Sequence, residues 1–198
     1  MSAPAKRVAA VVLAAGQGLR YGSQKLLAPV GDRPLLQHAL DAANASSLSP
    51  VVVVLGADAD AIEAGVRSGR ARLVRNPDHA TGQASSLRIG LRSLDASDAA
   101  VVVLGDQPNV TAALLDALVA TQRSTGAPAV VCAQDGRRSP PTLLHRDLWM
   151  EVDALRGDTG ARDVLARRGD VAVFDVAHDL AGLDDVDTQE DRERLSGG

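Results

Sequence analysis

Leu13-Ala14-Ala15-Gly16-Gln17-Gly18-Leu19-Arg20-Tyr21-Gly22-Ser23-Gln24-Lys25 is the stretch that decides the fold. It follows an apolar run, Val8 to Leu13, that reads as a buried strand. Gly16, Gly18 and Gly22 let the backbone turn tightly and bring bare N–H groups up to a ligand. Arg20 adds a planar fork of donors and Lys25 a mobile point charge. Amides, fork and ammonium together suit a polyphosphate.

Working outward, apolar runs alternate with segments of helical spacing. Pro34 opens a predicted helix at its first position, where a missing N–H costs nothing, and Leu36, Leu40 and Ala43 form its inner face. Val51 to Leu55 is a second strand, and a short helix with Ile62 and Val66 runs to about Gly69. Ala71 to Arg75 is a third strand, closed by Asn76-Pro77. Gly82 to Leu87 opens a helix buried through Ala84, Leu87, Leu91 and Leu94. Ala99 to Leu104 is a fourth strand, and Thr111 caps a helix that turns Leu114, Leu115, Leu118 and Val119 inward.

The last third is less regular. Pro128 to Ala133 reads as a strand, Gln134 to Ser139 as a polar turn holding two arginines, and Pro140 to Leu144 as an edge strand because of its prolines. Helices are expected over 147–155 and 160–168, and a final strand over 171–176. The order predicts an α/β fold of three layers: a mainly parallel sheet with helices on both faces, Rossmann-like, in one domain over 1–198.

Composition narrows the function. A net charge of −4 and only 2% aromatic residues argue against nucleic acid, which calls for a basic surface or stacking platforms. One cysteine, Cys132, lies in an apolar strand, so neither a disulfide framework nor a cysteine metal cluster is expected. Lys6-Arg7 before Val8 to Ala15 has the outline of a signal peptide, but cleavage there would detach the strand from its loop. The expectation is a cytoplasmic protein with no membrane partner.

In an open α/β sheet ligands bind beyond the carboxyl ends of the strands. The glycine loop, Asn76 and Asp106 all lie at such ends. Asp106 emerges from a buried strand, and a lone hard carboxylate there suits Mg²⁺, which keeps waters and substrate phosphates as its other ligands.

The opening stretch fits neither the dinucleotide fingerprint, whose third glycine would fall at Tyr21, nor the P-loop, since Lys25 is flanked by Gln24 and Leu26. It resembles the L-A-A/G-G-x-x-x-R-x-G-x-x-K signature of nucleotidyltransferases. Leu104-Gly105-Asp106-Gln107-Pro108 is similar to the L-G-D-Q-P motif of molybdenum cofactor cytidylyltransferases, and Gly82 to Leu87 to their G-x-x-x-S-L stretch. Gly157 to Arg162 resembles their G-D-x-G-A-R segment, and Asp185 to Asp191 their D-I-D-T-P-E-D run, with Gln189 for the usual proline. Arg138-Ser139-Pro140-Pro141 departs from the family's glycine-containing segment at the acceptor, which puts the acceptor's identity in question.

The resemblance implies transfer of CMP from CTP, or a nucleotide from another NTP, to a phosphorylated acceptor such as molybdopterin, for delivery to a molybdoenzyme. It implies that Leu13, Ala14, Ala15, Gly16, Gly18, Arg20, Lys25, Asn76, Gly82, Ser85, Ser86 and Asp106 line the nucleotide. Of these, Arg20, Lys25 and Asp106 are the catalytic candidates. Mg²⁺ is held by Asp106 with Asp185 or Asp187, unless these two only form a solvated helix cap. Arg138, Asp158 and Arg162 face the acceptor, though Arg162 equally suits a surface carboxylate and Ser85 a helix turn. GTP-dependent guanylyl transfer, a sugar- or polyol-phosphate acceptor, and a nucleotide-binding accessory protein without turnover are the alternatives.

Overall fold

The computed structural model describes residues 2–16 and 25–186. The elements run in the order β1 (Val8–Ala14), β2 (Pro29–Val30), β3 (Arg33–Pro34), α1 (Leu35–Ala45), β4 (Val51–Leu55), α2 (Ala59–Gly65) and β5 (Arg72–Arg75). They continue with α3 (Gln83–Arg92), β6 (Ala99–Leu104), α4 (Ala112–Thr125), β7 (Ala129–Gln134), β8 (Arg137–His145), α5 (Trp149–Asp153), α6 (Ala161–Leu165) and β9 (Val171–Asp175). Among the described residues seven strands form one sheet in the order β5-β4-β1-β6-β8-β7-β9, and β2 pairs with β3 as a separate ribbon.

Alternation along each strand builds two cores. Ala10, Val12, Val53, Leu55, Val101 and Val103 face one way, against Leu36 and Leu40 of α1, Ile62 of α2 and Leu114 and Leu118 of α4. Their neighbours Val11, Leu13, Val52, Val54 and Val102 face the other, against Leu87 and Leu91 of α3, Val152 of α5 and Leu165 of α6. Strands buried on both faces are the continuous Val-rich runs seen in the sequence. The three-layer α/β expectation holds.

β1, β4, β5 and β6 are mutually parallel, and β7 is parallel to β9. β8 alone is reversed, pairing antiparallel with β6 and β7. The carboxyl ends of the six concordant strands therefore share one edge of the sheet, where β8 begins. The Thr111 cap is present: its Oγ1 accepts the Leu114 amide at 3.2 Å.

Six local expectations need correction. Pro140 to Leu144 is interior, not an edge strand, because the β7 register slips between Val131, opposite Thr142, and Cys132, opposite Ser139. Pro140 and Pro141 fall in that slip and face no partner residue on either side, so their missing N–H groups break no ladder. Arg137 and Arg138 belong to β8 and not to a turn, which is reduced to Asp135-Gly136. Pro34 is the cap before α1, at ψ 145°, not its first residue, because it is paired in the β2–β3 ribbon. The second helix stops at Gly65, and α5 and α6 are single turns and a fraction, shorter than their sequence windows.

Candidate functional site

The carboxyl edge gathers the sequence candidates from opposite ends of the chain. Lys25 begins a single 3-10 turn, and its Nζ donates to Asp106 Oδ2 at 2.8 Å, across 81 residues. Both side chains are mostly buried, at 12% and 26% exposure, so the pair is only partly screened by water. Backbone bonds seat Asp106 between two segments: the Gly105 amide donates to Leu13 O at 2.9 Å, and the Val186 amide to Asp106 O at 3.0 Å. The second bond carries Asp185, the residue before Val186, alongside Asp106. Gly18, Arg20 and Asp187 lie outside the described residues.

The donor set fits a hard divalent ion. One or two carboxylates at a strand end match what Mg²⁺ takes from protein when phosphates and waters complete its shell. Among the described residues no group of three or more His, Cys, Asp or Glu is placed to hold a metal. Cys132 is no ligand either, since burial pushes its thiol up to about 12 and keeps it protonated.

Asn76, Ser85 and Ser86, expected to line the nucleotide, bond to one another in a buried network. Asn76 Nδ2 donates to Ser85 Oγ at 2.8 Å and to Ser86 Oγ at 2.9 Å, while its Oδ1 accepts the Asp78 amide. Ser85 Oγ in turn donates to Gly82 O at 2.8 Å. These bonds fix the loop that enters α3. Gly82 sits at φ +108°, and a Cβ there would lie 2.2 Å from the Gly157 carbonyl carbon. The Ala84 amide also donates to Gly157 O at 3.1 Å, so two motifs 75 residues apart form one wall. Only glycine fits both demands.

Beside this wall opens a cleft of about 700 Å³. Its floor is apolar, with Leu13, Leu104, Val131 and Leu165, and its rim carries Arg137, Arg138, Arg162, Asp158 and Asp185. All three acceptor candidates, Arg138, Asp158 and Arg162, thus share one cavity. Arg137 was not singled out in the sequence because the segment compared with the family's acceptor stretch begins at Arg138. Among the described residues no hydrogen bond or ion pair engages the guanidinium of Arg137, Arg138 or Arg162. Three guanidinium groups with no direct partner, set among Asp135, Asp158, Asp163, Asp184 and Asp185 over an apolar floor, leave donors open to an anion with a ring or chain body.

The strap 177–186, which bears Asp184 and Asp185, is held by two amides that sequence reasoning did not single out. Gln134 Nε2 donates to Ala181 O at 3.0 Å, and its Oε1 accepts the Leu183 amide. Gln107 Nε2 donates to Leu183 O at 3.0 Å and Pro140 O at 3.1 Å.

A family model described as MobA-like NTP transferase domain matches residues 10–172. The chain is 31% identical to the nicotine blue oxidoreductase of Paenarthrobacter nicotinovorans over 95% of its length and 96% of that protein. It is 41% identical over 128 residues to a bifunctional GlmU protein of Sphingopyxis alaskensis, and spans 28% of that longer protein. Among solved structures, the Mycobacterium sp. strain JC1 homolog of Mycobacterium tuberculosis Rv0371c superposes with a TM-score of 0.82 at 34% identity over 96% of both chains. Rv0371C of M. tuberculosis in complex with manganese superposes with a TM-score of 0.80 at 26% identity, over 98% of this chain and all of that one.

Proposed function

The chain belongs to the MobA-like NTP transferase domain family, and from that premise we propose that it transfers CMP from CTP to the terminal phosphate of molybdopterin, releasing pyrophosphate. The observation that carries the reading is the meeting of the loop's Lys25 with the strand-end Asp106 at 2.8 Å, beside a cleft rimmed by unpaired guanidinium groups. Phosphate-binding and acceptor-binding chemistry then share one edge of the sheet. The molybdopterin and CTP assignments rest on the set of sequence motifs.

The reaction is an in-line displacement. The acceptor's phosphate oxygen forms a bond to the α-phosphorus, and the bond from that phosphorus to the bridging oxygen breaks, leaving its electron pair on pyrophosphate. No side-chain base is required, because the acceptor phosphate is already ionised. What opposes reaction is the approach of two anions. Unit charges about 4 Å apart at an effective dielectric of ~20 interact by about 4 kcal/mol, and each tenfold in rate takes ~1.4 kcal/mol.

Lys25 is assigned to the α-phosphate, and Arg20 with the Gly16 to Gly18 amides to the β- and γ-phosphates. Arg138 and Arg162 receive the acceptor phosphate, with Asp158 on the same rim. Asp106 holds Mg²⁺, together with Asp185 or Asp187. When bound, the ion neutralises charge on the triphosphate and on the departing pyrophosphate. Asn76, Ser85, Ser86 and Gly82 shape the wall against the base through the loop they fix, and Leu13 to Ala15 carry the strand into it.

The test is pyrophosphate release with each of the four NTPs, with and without molybdopterin, in Mg²⁺. Release with CTP that depends on molybdopterin is expected; none with any pairing rejects the reading. A second reading comes from the whole-length relative named as an oxidoreductase. Adding nicotine blue and following its redox state separates the two.

A further inference from the structure

We propose that Gln107 is a positioning residue that sets the Asp106 carboxylate against the acceptor wall. The proposal rests on the nucleotidyl-transfer reading for the meaning of those two places. Gln107 is fully buried. Its Nε2 reaches three acceptors: Leu183 O at 3.0 Å, Pro140 O at 3.1 Å and Ser139 Oγ at 3.3 Å. Ser139 Oγ itself donates to Leu183 O at 3.4 Å, closing the group.

These atoms lie one or two residues from site groups. Gln107 follows Asp106, Ser139 follows Arg138, and Leu183 precedes Asp184 and Asp185. One amide therefore ties the metal carboxylate's strand, the acceptor strand and the acidic strap to a common point. The orientation of that amide is determined, since exchanging its O and N would turn an oxygen toward the carbonyls of Leu183 and Pro140.

The other half of the amide strengthens the case. Among the described residues Gln107 Oε1 is buried and without a hydrogen-bond partner. A methionine would fill similar volume with no unpaired oxygen. The amide is explained by what its NH₂ holds. Gln122 is the contrast: it is equally buried, donates to Ala3 O and Ala127 O, and accepts the Ala5 amide at 2.9 Å. All its capacity is used, and it stitches the N-terminal segment far from the cleft.

The test compares Gln107→Met with Gln122→Met, two buried amides lost at opposite edges of the sheet. Mn²⁺ binding is followed by electron paramagnetic resonance without nucleotide or acceptor, alongside thermal unfolding. Both variants should melt earlier. Gln107→Met should bind Mn²⁺ roughly tenfold more weakly than wild type, the low end of the range for groups bonded directly to a ligand, since Gln107 acts through the backbone it holds. Gln122→Met should stay within about twofold, inside the scatter expected of a distant, independent site.

Unchanged Mn²⁺ affinity in Gln107→Met, equal losses in both variants, or wild-type protein that binds no Mn²⁺ would each overturn the proposal. If Gln107→Met does not fold, Gln107→Asn keeps the amide but withdraws it by one methylene and must show the same selective loss. Pyrophosphate release is read separately. Its absence from a wild-type protein that binds Mn²⁺ rejects the transferase reading and leaves the positioning role intact.

Discussion

The two edges of the central sheet place several of their arginines in different company: converging carbonyls at the amino edge, an open cleft at the carboxyl edge. At the amino edge arginines are consumed by the fold. Arg70 donates to the carbonyls of Ala43, Asn44, Ser46 and Leu48, closing the end of α1. Arg146 donates to Leu94, Asp95 and Ser97 and lies over the Trp149 ring at 4.3 Å. At the carboxyl edge Arg137, Arg138 and Arg162 rim a cleft, their guanidinium groups without a protein partner among the described residues. The same side chain is structural where carbonyls converge on it and available for ligand where they do not. Position on the sheet does not decide alone, since Arg75, at the carboxyl end of β5, is held by Asp60 and Glu63.

Mutations should separate the two roles. The largest effect belongs to Asp106→Asn. Pyrophosphate release should fall by about 10²–10³ or more, the scale for losing one preorganised electrostatic group, with circular dichroism unchanged. Full activity in that variant would remove Asp106 from the metal site.

Next comes Arg70→Ala at the opposite edge. Four carbonyls lose their donor, and stability should drop by about 2–4 kcal/mol in urea unfolding, with turnover per folded molecule preserved. A loss of turnover without loss of stability would break the contrast between edges.

Arg138→Ala and Arg162→Ala should do the reverse. Stability should stay within about 0.5 kcal/mol, as for exposed positions free of special features. The KM for the acceptor should rise roughly tenfold, what ~1.4 kcal/mol of binding amounts to, while that for CTP barely moves. Steady-state kinetics varying each substrate checks this.

The smallest effect is electrostatic and lies at the amino edge. Asp98 accepts the amides of Arg7 and Lys6, both at 2.9 Å, and the Arg7 bond above all holds its carboxyl below the ordinary carboxylate range. The folded state therefore favours the anion. Its contribution is complete above the unfolded value of about 3.9 and fades as pH falls through the lower folded one. Asp98→Asn should melt slightly earlier than wild type at pH 7, and the gap should narrow toward pH 3.

Much of this contrast was legible in the sequence only on one side. In the parallel half, Val51 to Leu55 and Ala99 to Leu104 were bounded to the residue, because a strand buried on both faces is an unbroken apolar run between turn signals. The glycine loop's Lys25 and the strand-end Asp106 were found by type and position, and they meet. The reversed β8 was misread, since Pro140 and Pro141 signal an edge unless a register slip shelters them, and that slip depends on Val131 and Cys132 of the partner strand. Arg70, Arg146 and Gln107 could not be read locally. The acceptors of their side-chain hydrogen bonds lie 22 to 76 residues away in sequence, and nothing nearby distinguishes an arginine that meets carbonyls from one that meets solvent.

Crystals grown with Mn²⁺ and CTP, measured at the manganese absorption edge, test the central claim most directly. An anomalous peak in coordination contact with Asp106, with the triphosphate beside it and Lys25 turned from the carboxylate to the α-phosphate, is the expected result. A peak elsewhere, or a triphosphate bound away from the carboxyl edge with the Lys25–Asp106 pair still closed, would contradict it.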